Sequence, residues 1–229
     1  MVGKVADSEW LELQPRPNYG GHKGREWVAA AIERGLLCAE CKSRLPQTAG
    51  VPVDVQVWER VTPTPVGHII GVCLYARVEF VEALEATGVD LLEGRGVGQL
   101  ILPTGDELLK DFGVGKLILP NGLVDPRYVT LSPKEVIVIR GGPQSGSRTY
   151  CGTCGRFRYF PMPWESRHLI KGTFDESRGL HVSELGDLVI RREIWQQIPA
   201  VFKKKIKAWP LPVKDEPEDG ITDFPPVWP

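Results

Sequence analysis

The sequence has almost no net charge. Its 28 lysines and arginines face 29 aspartates and glutamates, which leaves −1 at neutral pH. That lends no support to a broad electrostatic grip on nucleic acid, and it is not the acidic balance of a nucleic-acid mimic. Long hydrophobic runs are also missing. No stretch of about 18 apolar residues occurs, so neither a membrane-crossing helix nor a membrane partner is expected. The first residues, MVGKVADSEWLELQ, carry no apolar h-region and no small-residue cleavage site, so no secretory signal is expected. Cysteine is scarce: five in 229 residues is far below the density of a disulfide scaffold. Export is unsupported, and a reducing cytoplasm is the expected compartment. Catalytic signatures are absent too. The four histidines (His22, His68, His168, His181) show no HxH or HExxH spacing, and there is no GxSxG elbow and no close acidic pair of glycosidase type. Nothing points to an enzyme or a small-molecule substrate.

What is present is a chain rich in turns. Glycine (25) and proline (20) favour short elements over long helices. Ordinary apolar and charged fractions, at this length, allow a sizeable core without staples. The expectation is one α+β domain over residues 1–212, with a short-stranded central sheet and two or three helices, followed by an acidic, proline-rich tail over 213–229.

Several elements are legible locally. Residues 20–37 begin with turn residues and become helical, with Trp27, Ala30, Ala31 and Arg34 at three- and four-residue steps and Gly35 placed to end the helix. VPVDVQVWERV alternates like a strand, and GHIIGVCLYA reads as a second, more buried strand. RVEFVEALEATGVD reads as a helix with Phe80, Val81 and Leu84 on one face and Gly88 beyond its end. VGQLILPTG (97–105) recurs as VGKLILPNG (114–122), which suggests two similar strands each closed by a turn; neither copy has the glycine spacing of a phosphate loop. EVIVIRGG reads as a strand, YCGTCGRFRYF as a hairpin, and GDLVIRREIWQQIPAVFKKKIKAW as a strand running into a helix that Pro199 kinks or ends. LYARVEFVEAL and VIRREIWQQI echo each other, with Phe80 set against Trp195.

Four of the five cysteines fall into two CxxC pairs, Cys38/Cys41 and Cys151/Cys154. In a zinc knuckle this spacing turns two thiolates onto one ion while backbone N–H groups donate to the sulfurs. Gly155 suits the positive φ of such a turn. Two knuckles supply a closed, structural site of four thiolates for one zinc, and iron would use the same ligands. A redox CxxC would instead sit at a helix N-terminus after a strand, whereas GRFRYFPMPW reads as strand and turn. Unligated thiols are the third possibility. Cys73, among apolar residues, reads as a buried inert thiol. Lys203, Lys204, Lys205 and Lys207 read as a solvated helix end, with a contact to phosphate or to an acidic partner as the alternative.

The order of these parts resembles the double-CxxCG motif proteins of myxobacteria, which include immunity proteins to toxins delivered between swarming siblings. LLCAECKSRL, then LYARVEFVEALEATGVDLLEG, then CGTCGR and GDLVIRREIWQQI carry the resemblance across most of the chain. Lys42 stands where the family has a glycine after its first pair, and Ala39 and Glu40 fill a knuckle that often holds proline. The resemblance implies a cytoplasmic, non-enzymatic protein that neutralises a cognate protein toxin by direct binding, with Cys38, Cys41, Cys151 and Cys154 as its metal site. The alternative is a zinc ribbon that binds nucleic acid, with Arg156, Phe157, Arg158, Tyr159 and Phe160 supplying phosphate contacts and stacking.

Overall fold

The computed structural model describes residues 8–15, 24–57, 64–69, 71–87, 112–141, 149–159 and 164–216. The first copy of the local duplication (97–105), the DELLKDF segment up to Asp111, Gly88, His22, the loop at 142–148 and the tail beyond residue 216 lie outside them.

The chain is α+β with short strands, as expected. Its strands in order are β1 (Trp10–Pro15), β2 (Val55–Gln56), β3 (Val66–Ile69), β4 (Cys73–Arg77), β5 (Phe112–Ile118), β6 (Val124–Pro133), β7 (Thr149–Tyr150), β8 (Phe157–Tyr159), β9 (Leu169–Ile170), β10 (Leu180–Val182), β11 (Leu188–Arg191), β12 (Ile206–Leu211) and β13 (Val213–Lys214). Four short helices accompany them: α1 (Arg25–Glu33), α2 (Val78–Glu85), α3 (Arg192–Gln197) and α4 (Ala200–Lys203). The helix count exceeds the expected two or three because Pro199 splits one helical segment. Ile198 turns extended (ψ 136) and Pro199 becomes the N-cap of α4.

A mixed five-stranded sheet runs in the order β2-β5-β6-β4-β3, and an antiparallel four-stranded sheet in the order β10-β11-β1-β12. One apolar core joins them. Leu74 and Ala76 of β4 and Phe80, Val81 and Leu84 of α2 pack with Leu11 and Leu13 of β1, Leu188 and Ile190 of β11, and Ile194 and Trp195 of α3. Burying such side chains contributes roughly 1.5–3 kcal/mol each, so this shared core holds the two sheets as one unit.

Sequence periodicity misplaced some elements. GHIIGVCLYA is a hairpin, not one strand. Gly71, at φ +69, reverses the chain between β3 and β4, with Ile69 opposite Cys73 and His68 opposite Leu74. A left-handed turn inside a uniformly apolar run has no polar signal to mark it. EVIVIRGG forms no regular strand. Ile137 bridges to Ser183 and Arg140 to His168, so its backbone bonds are divided between two neighbours. In the tail segment, Val213 and Lys214 pair in parallel with β9. The second duplicated copy is β5 plus the turn at Asn121–Gly122 that leads into β6.

Candidate metal centre

Each cysteine pair sits in a knuckle with the same hydrogen bonds. After α1, the N–H of Gly35 bonds to Ile32 O and that of Leu36 to Ala31 O, which ends the helix. Leu37 then bridges to Arg44 and closes a tight hairpin over Cys38–Cys41. Within it the Cys38 N–H donates to Ser43 O (2.8 Å) and the Lys42 N–H to Cys38 O (3.0 Å). In the second knuckle, framed by β7 and β8, the Cys151 N–H donates to Arg156 O (2.8 Å) and the Gly155 N–H to Cys151 O (2.8 Å). Every partner is displaced by 113 residues from its counterpart. Gly155 has φ +68, and Lys42, at the equivalent place, has φ +58. Lysine therefore takes the left-handed conformation where a glycine would be at ease, and its Nζ donates back to Ala39 O.

The equivalence extends beyond the knuckles. Each is followed by an antiparallel hairpin, then a helix capped by arginine: β3–β4–α2 after the first, β10–β11–α3 after the second. Arg77 and Arg191 are the N-caps, with φ/ψ of −69/139 and −63/141. Each is paired with the glutamate two positions on, Glu79 at 3.0 Å and Glu193 at 3.6 Å. These caps set Phe80 against Ile194, not against Trp195 as the sequence echo suggested, and Val81 takes Trp195 as its counterpart. The chain is built from two copies of a knuckle–hairpin–helix unit.

The two knuckles meet. Cys38 Sγ lies 3.8 Å from Cys151 Sγ, Cys41 Sγ lies 3.7 Å from Cys154 Sγ, and all four sulfurs fall within 4.8 Å of one another. A tetrahedral site with zinc–sulfur bonds of about 2.3 Å requires sulfur separations of about 3.8 Å, so the four residues fit one metal ion. Disulfide bonding would need about 2.05 Å. Cys38 and Cys151 are buried, and Cys41 and Cys154 are half-exposed. Burial alone raises the Cys41 thiol, but hydrogen bonds from the Ser43 backbone and hydroxyl and from the neighbouring thiols outweigh it and bring the group to about 7. Burial pushes Cys154 up to about 12, against the Arg156 backbone N–H. The donors at Ser43 and Arg156 occupy equivalent positions, as expected of N–H groups aimed at ligating sulfurs. Neither pair opens a helix, the placement a thioredoxin-like redox site requires.

Charge around the cluster agrees with a metal-bound tetrathiolate. Arg44 is only 2% exposed, and its guanidinium donates to Thr48 Oγ1 (3.1 Å), Thr48 O and Val51 O (2.6 Å), all neutral. Its Nη1 has no partner, and no carboxylate meets it among the described residues. Arg156 Nη1 donates to Arg44 O at 2.9 Å. Burial and the Arg44 charge pull Arg156 down to about 10, opposed by the Cys154 and Cys41 thiolates. Buried cations require compensation, and a divalent ion with four thiolates carries a net charge of −2. Across the knuckles, Thr153 Oγ1 donates to Glu40 Oε2 at 2.5 Å.

The remaining candidates stay apart from the cluster. Cys73 is buried among Ile69, Val72 and Tyr75, as expected. His168 Nδ1 meets Ser166 O at 2.9 Å, and His181 Nε2 meets Asp175 O at 3.0 Å. One buried polar group escaped sequence reading. Glu12, fully buried in β1, bonds Arg167 at 2.7 Å, and burial together with Glu12 holds the Asp187 carboxyl well above the usual range, opposed by Arg167. Asp187 had looked like turn chemistry, and nothing in WLELQ marks its glutamate as internal. Arg156 is turned inward to Arg44, and the side chains of residues 157–160 lie outside the described ones. No helix among the described residues is long and apolar enough to cross a membrane. No protein-family model matches the chain, and no curated protein matches it.

Proposed function

We propose that this protein is a cytoplasmic, non-enzymatic immunity protein that occludes the surface of a cognate protein toxin, with one structural zinc holding its two halves together. The observation that carries the reading is the meeting of two equivalent knuckles, each followed by its own hairpin and helix. This fits the order of parts on which the resemblance to double-CxxCG proteins rests. Zinc, when bound, would supply a redox-inert cross-link between Cys38/Cys41 and Cys151/Cys154. The chain's own residues do the rest: the shared core of α2 and α3 fixes the relative placement of the units, and rigid surfaces bind with less ordering cost.

The test is co-expression with the product of the adjacent upstream gene. Rescue of growth, together with a stable complex on gel filtration, supports the reading. If that product neither kills nor binds, the reading fails. In the second reading, a zinc ribbon on nucleic acid, binding would weaken steeply with salt. The inward commitment of Arg156 removes one of the residues on which it relied.

A further inference from the structure

A cleft of about 590 Å³ opens where the two units meet beside the cysteine cluster, within the range of ligand-binding sites. Its metal end is formed by Cys41 and Arg156, and its polar wall by Ser43, His68 and Glu184. The turns of the two equivalent hairpins, at Gly71 and Gly186, face across it. Val72, Val136 and Leu185 add apolar wall. Among the described residues His68 has no hydrogen-bond partner, and burial pushes its pKa down, so it is a neutral imidazole with acceptor capacity.

The balance of charge in this cleft selects an occupant. With a divalent ion bound, the cluster carries −2, and Cys41 is the ligand facing the opening. Glu184 adds −1, and Arg156 returns +1. The cleft is therefore electronegative at its polar end and apolar along its sides. A long cationic side chain matches both: its methylenes lie on valine and leucine while its head meets sulfur and carboxylate. An anion would be repelled by the metal complex.

Resting on the immunity reading above, we infer that this cleft receives an arginine or lysine side chain of the partner toxin and is the anchor point of the complex. Central, largely desolvated pockets of this kind carry a disproportionate share of binding energy.

Two measurements test it. In the first, calorimetry of the zinc-loaded full chain against the upstream gene product compares wild type with Glu184→Arg, Glu184→Gln and the exposed control Glu165→Arg. Glu184→Arg should weaken binding on the order of 100-fold and Glu184→Gln less, with zinc content and Tm unchanged. Full-strength binding by Glu184→Arg would overturn the inference while leaving the immunity reading intact. In the second, without any toxin, acetyl-Gly-Arg-Gly-amide should shift the amide resonances of Gly71 and Gly186 saturably, and acetyl-Gly-Glu-Gly-amide should not. Shifts in wild type that vanish in Glu184→Arg support the cleft chemistry even if the upstream product fails to bind. Equal response to both peptides, or to neither, overturns it.

Discussion

Cys38 and Cys151 are 113 residues apart in the chain, and their sulfurs are 3.8 Å apart. Each is the buried first cysteine of its knuckle and each begins an equivalent unit, so one ion would join the two copies at corresponding points. The metal site is a seam between halves.

The knuckles make opposite demands on glycine. Lys42 holds φ +58 and Gly155 φ +68. Lys42→Gly should therefore stabilise the protein by about 1 kcal/mol, and Gly155→Ala should destabilise it by about 1–2 kcal/mol. Urea titrations of the zinc-loaded variants read both signs.

Acid should weaken the fold through His181. Burial, with lesser contributions from Arg178 and Arg191, pulls this histidine down to about 4, and its ring packs 5.4 Å from those of Trp10 and Phe174. The unfolded chain binds the proton near 6.5 and the folded one near 4, so stability is lost as pH falls between those values. The loss should amount to about 3 kcal/mol. His181→Asn should flatten that part of the pH–stability curve even though it lowers stability overall.

Asp187 should act in the opposite direction. Its folded pKa is raised by burial and by Glu12, so the folded state holds a proton that the unfolded state releases above about 3.9. Its contribution is intact below that value and is lost as pH rises through the folded pKa. Asp187→Asn keeps a donor toward Glu12 and removes the proton linkage. The Tm of the variant should exceed wild type at pH 8 and match it near pH 4, a difference that isolates this group from His181.

How much the sequence revealed follows from the physics of each element. The helix at Arg25–Glu33 and the strand–helix units ending at Glu85 and Gln197 were legible because each buries one face and leaves another wet. The cysteine site was legible because two identical spacings carry chemistry that folding need only bring together. β1 was not, because a strand packed on both faces shows no alternation, and Glu12 inside it looks solvated until Arg167 is placed beside it. β12 was hidden by the lysines that precede it and by Pro210, which is tolerated because the strand is at the sheet edge. The duplication was faint in sequence, since Phe80 and Ile194, or Val81 and Trp195, preserve burial without preserving identity.

Because both units share one core, damage to either should be felt as one event. Phe80→Ala and Ile194→Ala should each cost about 2–5 kcal/mol, and each should lower a single cooperative thermal transition. Two separate transitions would mean that the halves fold independently.

The most direct test of the central claim is the metal content and thiol count of freshly purified protein. About one zinc per chain is predicted, with Cys38, Cys41, Cys151 and Cys154 all protected from thiol reagents until a chelator removes the ion. The Cys151→Ser/Cys154→Ser double variant should lose the zinc although Cys38 and Cys41 remain. Metal-free protein with a disulfide inside either pair, or zinc retained by that double variant, would contradict the account.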